Sequence, residues 1–272
     1  MKIGITGSSG SLGRALLKRI SANKIFRFKG RLENKKEITE WIKKNSFDCV
    51  IHLAAIVPVT IVNNDKKKAF NVNYIGTKNL IDSIKKHSKR KIWFFYSSTS
   101  HVYKVGNTKK KEMEKTNAST YYGKTKELSE KYILRNKKYL SVCIGRIFSY
   151  TAKKQKNYYL IPSLINKLKI KKKIIVFKNL NHYRDFLTIE DITSAIKILM
   201  KNKATGIYNI CSGKKIYLVD LVQAINRNYK KNLKFNSNSK STSLIGDNSK
   251  LKKIGWISKN TNYLKYIKNY SK

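Results

Sequence analysis

No apolar run in this sequence approaches the ~20 residues that a bilayer-spanning helix requires. Met1-Lys2 leads straight into Ile3-Gly4-Ile5-Thr6 and then glycines, without the long apolar stretch of a secretory leader. A soluble, cytoplasmic protein without a membrane span is expected. Cysteine is scarce: Cys49, Cys143 and Cys211 lie far apart within apolar runs. Their odd number and their spacing do not suit a zinc site, so they are expected as reduced core residues, and no metal is expected. Nothing beside them in sequence marks a catalytic thiol. Acidic residues are few, 15 against 60 Lys and Arg, which leaves a net charge of +45. There are only two prolines and few arginines, with many Asn and Ile. That combination suits an A+T-rich coding bias spread over solvated surfaces. The competing explanation is a nucleic-acid or anionic-membrane partner, which would require the charge to gather in space. In sequence it does not gather: Lys66–Lys68, Lys109–Lys111, Lys171–Lys173, Lys230-Lys231 and Lys252-Lys253 are scattered. A positive field would still favour anionic substrates such as sugar nucleotides.

A hydrophobic content of 41% is that of a globular protein, and 272 residues can enclose an ample core. Ile3-Gly4-Ile5 reads as a short buried strand, followed by Gly7-Ser8-Ser9-Gly10-Ser11-Leu12-Gly13 and a helical run from Arg14 to Ile20. Strand, glycine-rich turn and helix form the setting of a dinucleotide-binding loop. The glycines allow a tight turn, close approach of a pyrophosphate and close helix–strand packing, with helix amides toward the phosphates. A second strand is expected at Lys24–Phe28. Its end, Arg27-Phe28-Lys29-Gly30-Arg31, has no acid before Glu33, which favours NADPH over NADH because a basic residue suits a 2′-phosphate.

Ile38–Lys44 reads as an amphipathic helix and Asp48–Ala55 as a buried parallel strand ending in small residues, with His52 as a core or cofactor-wall residue. Asn71–Thr77 opens a long helix through Lys86. Trp93–Tyr96 is another buried strand, and it runs into Ser97-Ser98-Thr99-Ser100-His101-Val102-Tyr103. Open α/β sheets bind ligands at that end of a strand. Tyr122 and Lys126 are four apart, so on a helix they share a face. A fixed ammonium beside a phenol stabilises the phenolate and lowers its pKa, enabling proton exchange with a sugar or ketone oxygen. The same spacing on a solvated helix would carry no chemistry. Downstream, Leu160–Lys169, Thr188–Met200 and Leu218–Tyr229 read as helices, with Thr188 or Asp191 able to cap the second. Lys173–Phe177 reads as a strand and Lys230–Ser243 as a polar loop.

Taken together, Gly7/Gly10/Gly13, His52-Leu-Ala-Ala55, Asn73-x-x-Gly76-Thr77, Ser97-Ser98-Thr99 before Val102-Tyr103, and Tyr122-Gly-x-x-Lys126 with Glu130 resemble the extended short-chain dehydrogenase/reductase family. The resemblance is to its sugar-nucleotide epimerase/dehydratase branch. Arg146-Ile-Phe148, Arg184-Asp185-Phe186, Gly206–Ile210 and Asp247 to Gly255-Trp256 extend it over nearly the whole chain. It implies a doubly wound α/β fold, with a Rossmann-type parallel sheet and a small C-terminal substrate lobe. The approximate division is 1–150 and 151–272, part of the second returning to the first. It implies Tyr122 as general acid/base, Lys126 on the nicotinamide ribose and lowering the Tyr122 pKa, and Thr99 bonding the C4 oxygen. Cofactor contacts are implied at Gly7, Ser9, Gly10, Leu12, Gly13, Arg31, Ala54, Ala55, Asn73, Ser97, Tyr122 and Lys126. Substrate contacts are implied at Thr99, Ser149 and Arg184, whose guanidinium suits a diphosphate; a local Arg184–Asp185 ion pair is the alternative. A homodimer through the Asn73 and Tyr122 helices is also implied.

The departures narrow the chemistry. Ser100 and His101 stand where the family's dehydratases carry an acidic pair, so dehydration is not expected, and His101 becomes a candidate proton donor. Ser149, Thr151 and Ala152 replace the family's Asn and Gly-Pro, in a short basic loop from Thr151 to Tyr159. Arg31 replaces an Asp that meets the adenine. The expected function is an NAD(P)-dependent oxidoreductase at C4 of a nucleotide-linked sugar, foremost a 4-keto-6-deoxyhexose reductase with NADP favoured over NAD. A 4-epimerase holding NAD is the alternative. A nucleic-acid-binding or non-catalytic cofactor-binding protein on the same fold is the alternative of another class.

Overall fold

The computed structural model describes residues 1–20, 24–152, 155–260 and 262–271. The first half alternates strand and helix: β1 (Lys2–Thr6), α1 (Ser11–Leu17), β2 (Lys24–Arg27), α2 (Lys35–Lys44), β3 (Cys49–His52), α3 (Val59–Asn64), α4 (Lys66–Phe70), α5 (Gly76–His87), β4 (Ile92–Thr99), α6 (Tyr121–Arg135) and β5 (Leu140–Ile147). A π turn over Asn71–Ile75 links α4 to α5, and a 3-10 turn over Ser100–Val102 follows β4. The second half contains β6 (Ser149–Thr151), α7 (Leu160–Lys169), β7 (Ile174–Lys178), β8 (His182–Arg184), β9 (Phe186–Thr188), α8 (Ile189–Lys201), β10 (Gly206–Ile210), β11 (Ile216–Tyr217), α9 (Leu218–Asn226), β12 (Asn232–Asn236), β13 (Thr242–Leu244), α10 (Ser249–Lys253) and α11 (Tyr263–Tyr270).

Six strands form one sheet in the order β10-β5-β4-β3-β1-β2, all pairs parallel. A parallel sheet is covered on both faces, so its strands are apolar on both sides. Along β4, Trp93 and Phe95 enter the layer with α1 and α8, while Phe94 and Tyr96 enter the layer with α2, α5 and α6. The chain runs from β1 outward to β2 and then crosses to β3 on the other side of β1. A crevice opens at the carboxyl ends of strands where the order reverses in this way.

The later residues build a smaller lobe around Leu164, Leu168, Phe177, Leu221, Ile225 and Ile267, contributed by α7, β7, α9 and α11. Trp256 ties the C-terminal segment back to the sheet layer, its indole N–H donating to the Asp191 carbonyl and the Ser194 hydroxyl. The stretch 230–243 is not all loop. β12 pairs in parallel with β7, and β13 joins β8 and β11 in a three-stranded sheet. Leu233 and Phe235 alternate with polar residues, and Phe235 stacks on Phe177 with centroids 6.0 Å apart. The partner strand lies some 58 residues upstream by register, and a polar composition conceals such a pairing. β2 ends at Arg27, one residue before the expected Phe28, whose amide still donates to the Ile5 carbonyl at 2.9 Å.

All three cysteines are buried, and burial pushes their thiols up. Among the described residues three acids (Glu130, Asp185, Asp191) and three bases (Lys110, Lys126, Arg146) are buried. The interior therefore absorbs none of the positive excess, which lies on the surface. The expected basic loop at 151–159 includes Lys153 and Lys154, which are outside the described residues.

Candidate active site

At the crevice lies a cavity of about 420 Å³, bounded by the glycine turn, the ends of β4 and β5, the start of α6 and the segment before α7. Gly7 has φ +72°, and a Cβ there would stand 2.5 Å from the Ala54 amide nitrogen. A Cβ on Gly13 would stand 2.3 Å from the Gly7 carbonyl oxygen. These two glycines let the turn fold onto itself and onto the small residues after β3. Gly10 is different: its Cβ would meet only the Gly7 oxygen, at 3.3 Å. The backbone at Gly10 is therefore open to a ligand, which is the cradle a pyrophosphate needs, and the residues present fit a dinucleotide.

Gly7, Gly10, Leu12, Gly13, Ala55 and Ser97 line the cavity, together with Thr99, His101, Tyr122 and Ser149. Ser9 and Ala54 do not. The Ser9 carbonyl accepts from the Arg14 side chain, and Ala54 lies beneath Gly7. Arg31 is exposed beyond β2; its amide donates to Glu37, which also accepts from the Asn34 side chain. Asn73 is buried away from the cavity. Its carboxamide holds both the amide and the carbonyl of Ile56 and donates to the Thr125 hydroxyl. It thus positions α6 against the segment after β3.

Tyr122 sits on the first turn of α6, whose start is capped by Thr120 accepting from the Gly123 amide at 3.0 Å. Gly123 matters because a Cβ there would lie 2.2 Å from the His101 carbonyl oxygen. Without one, α6 closes onto the turn after β4, and the His101 ring meets the Tyr122 ring edge to face at 5.9 Å. Burial pushes the Tyr122 phenol up, and the adjacent Thr99 hydroxyl acts against that rise. Lys126, 1% exposed, lies one turn further along, its Nζ 4.2 Å from the centroid of the Tyr96 ring. Burial lowers Lys126 to about 7, with Glu130 opposing. The expected lowering of the phenol by Lys126 is absent. Desolvation of the phenol dominates, and Lys126 is not among the groups that act on it. Desolvation is the largest influence on both groups.

Behind these residues is a buried network. Arg146 on β5 forks onto Glu130 of α6, with Nη2 to Oε2 at 2.7 Å, and Ser98 of β4 donates to the same carboxylate. Arg146 also reaches the Tyr103 hydroxyl at 2.9 Å, which donates to Asn209 of β10 at 2.7 Å. Three strands and α6 are held in one register by these contacts. His52 forms a second brace. The Thr77 hydroxyl donates to the Asn73 carbonyl at 2.6 Å, so His52 Nε2–H donates to Thr77 and His52 Nδ1 accepts from Thr6. Burial, then Lys126, hold this imidazole neutral, at about 3. His52 is thus a core residue joining β1, β3 and α5.

Arg184 does not line the cavity and does not pair with Asp185. Its guanidinium donates to the Tyr183 and Thr242 carbonyls and to the Thr242 hydroxyl. Asp185 instead gathers the Ser212 amide and hydroxyl and the Gly213 and Gly246 amides, and burial raises it to about 6. Sequence reasoning missed Tyr150 and Tyr159, cavity residues close enough to Tyr122 to raise its phenol further, and Phe186 beside them. Tyr150 was visible only as an aromatic beside Ser149, and nothing local says which way a loop tyrosine turns. Among the described residues no carboxylate lines the cavity.

A parallel doubly wound sheet carrying this glycine turn at its switch point, with a phenol and a hydroxyl facing it, defines a dinucleotide-dependent oxidoreductase fold. The model of the NAD dependent epimerase/dehydratase family matches residues 3–211, and the chain belongs to that family. It thereby stands among NAD(P)-dependent enzymes that act on sugar nucleotides. Over 266 residues it is 27% identical to the GDP-6-deoxy-D-talose 4-dehydrogenase of Aggregatibacter actinomycetemcomitans, spanning 92% of this chain and 90% of that one. Its fold matches that of RMD from Pseudomonas aeruginosa complexed with NADPH, with a TM-score of 0.86, 20% identity and coverage of 100% and 99% of the two chains. It also matches the UDP-glucose 4-epimerase of Thermus thermophilus in complex with NAD, with a TM-score of 0.85, 16% identity and the same coverage. At those identities the two structures speak to the fold alone.

Proposed function

We propose that this protein reduces the C4 ketone of a nucleotide-linked 6-deoxyhexose with NADPH. The observation that carries the proposal is the wall formed by Thr99 and Tyr122, facing the glycine turn across a cavity with no carboxylate among its described residues. The nicotinamide, when bound, supplies a hydride to C4. Thr99 holds the C4 oxygen and Tyr122 gives it a proton. A phenol kept protonated by burial is suited to donation, the direction that ketone reduction requires. Removal of water from a sugar needs an acid and a base beside the ring, and with Ser100 and His101 at those positions the cavity offers no such carboxylate pair. Arg184, outside the cavity lining and held by the Tyr183 carbonyl and Thr242, is assigned no part in this reading.

NADPH is preferred in this reading because Arg31 is exposed after Gly30, while the nearby acid, Glu37, is engaged by the Arg31 amide and by Asn34. The 27% identity to a 4-dehydrogenase of a GDP-linked 6-deoxy sugar supports the same chemistry, read in reverse. The test is to titrate NADPH and NADH, following nicotinamide fluorescence at two salt concentrations, and then to offer 4-keto nucleotide sugars. Tight NADPH binding with NADPH oxidation is expected. Tyr122→Phe should lower kcat by about a hundredfold or more and leave cofactor binding in place. NAD carried through purification would point to 4-epimerisation instead, and absence of binding would remove the proposal.

A further inference from the structure

The cavity holds one titratable side chain that hydride reduction does not use. His101 follows Thr99 by two residues on the 3-10 turn after β4 and lines the same cavity as Thr99 and Tyr122. Its position is set firmly. Its amide donates to the Thr99 hydroxyl at 3.3 Å, and Gly123 lets its carbonyl press against α6. Its ring packs edge to face on Tyr122. Among the described residues neither ring nitrogen has a hydrogen-bond partner, unlike His52, whose two nitrogens are both engaged. The ring is half-buried, and its nitrogens are left open to whatever occupies the cavity. Burial and Arg184 both favour the neutral form, which has a lone pair to accept a proton.

The carbons on either side of a C4 ketone carry acidic hydrogens, because the carbanion left behind is an enolate with its charge on the C4 oxygen. Thr99 and Tyr122 are the groups placed for that oxygen. We infer that His101 is an acid/base residue for one of these flanking carbons, so that the protein exchanges a ring hydrogen of its 4-keto substrate independently of hydride transfer. The C–H bond breaks, the proton moves to a His101 ring nitrogen, and its electron pair forms the C=C bond of the enol. The C4 oxygen takes the proton of Tyr122 or its hydrogen bond. Return of a proton from His101 to the same carbon, with any proton taken by the C4 oxygen going back to Tyr122, restores the ketone, and no electrons are gained or lost. Exchange of the imidazolium proton with water between the two steps introduces solvent hydrogen.

The inference rests on the 4-ketose reading of the substrate, and one pair of assays separates the two. The probe is the C4 ketone of GDP-6-deoxy-D-talose, incubated with the full chain in D2O without reduced cofactor, trapped with borohydride and weighed by mass spectrometry. A parallel sample receives NADPH, and its oxidation is followed. One deuterium per sugar, located beside C4 by NMR and absent without protein, is expected. His101→Asn and His101→Phe should each lower the ratio of exchange rate to reduction rate at least tenfold, with NADPH binding reporting that the variants are folded. Reduction without deuterium uptake, or an unchanged ratio in both variants, overturns the inference and leaves the reductase standing. Exchange without NADPH oxidation supports the inference and removes the reductase. Neither activity removes both.

Discussion

Removing the carboxylate of Glu130 should unfasten the platform on which Thr99 and Tyr122 stand. Its side chain and that of Arg146 are 3% and 4% exposed, with Nη2 and Oε2 2.7 Å apart. Arg146 Nε adds contacts of 3.1 and 3.2 Å to the two carboxylate oxygens. Glu130→Ala leaves the guanidinium buried with only the Tyr103 hydroxyl and the Glu112 carbonyl as partners. Losing one member of a buried pair costs about 3–5 kcal/mol, because the survivor keeps its desolvation penalty. At about 2–4 °C per kcal/mol for a chain of this size, Tm should fall by roughly 6–20 °C. The double variant Glu130→Leu, Arg146→Met strands neither charge, so it should melt above Glu130→Ala. Circular dichroism melts of the three proteins at one pH and salt concentration test this. A Glu130→Ala loss under about 1 kcal/mol, or a double variant as unstable as the single one, would refute the reasoning.

The glycine turn makes a paired prediction. Gly13→Ala must push its methyl into the Gly7 carbonyl, 2.3 Å away, and should lower both Tm and nicotinamide binding. Gly10→Ala, whose nearest neighbour is 3.3 Å away, should keep Tm within a few degrees and lose cofactor affinity by fluorescence titration. Lys126 makes a pH prediction. Its folded value, about 7, lies below the ordinary 10.5, so between those limits the unfolded chain binds a proton that the folded chain has released. Stability attributable to Lys126 therefore rises with pH above about 7. Urea midpoints at pH 7 and pH 9 should show a rise that is smaller in Lys126→Met; equal rises in the two proteins would refute it.

Local signals carried far in this chain. The Gly7/Gly10/Gly13 turn, the buried runs at 49–52 and 93–96 and the Tyr122/Lys126 pair were legible because each needs only neighbours in sequence. The small end of β3 was legible too, since Ala54 must lie under Gly7. Orientation and pairing at a distance were not legible. β12 was hidden because Leu233 and Phe235 are isolated among polar residues, and their partner strand, β7, lies in another segment. Asn73 and Arg184 were expected on ligands, and each has protein partners that no local pattern foretells. The Asn73 carboxamide is filled by Ile56 and Thr125, and the Arg184 guanidinium donates to the Tyr183 carbonyl and to Thr242.

By itself, then, the sequence determined the periodicities: strand, turn and helix in alternation, a phenol and an ammonium on one helical face, hydroxyls at a strand's end. Those depend on backbone geometry over a few residues. Only the tertiary structure decided the electrostatics, because desolvation depends on what closes over a group. The protein's packing raises the Tyr122 phenol and lowers the Lys126 ammonium, against the shift that their spacing alone suggested. It also decided which imidazole is buried and spent on neighbours, His52, and which is left facing the cavity, His101. Spacing in sequence brings groups near one another, but the dielectric around them is set by the whole fold.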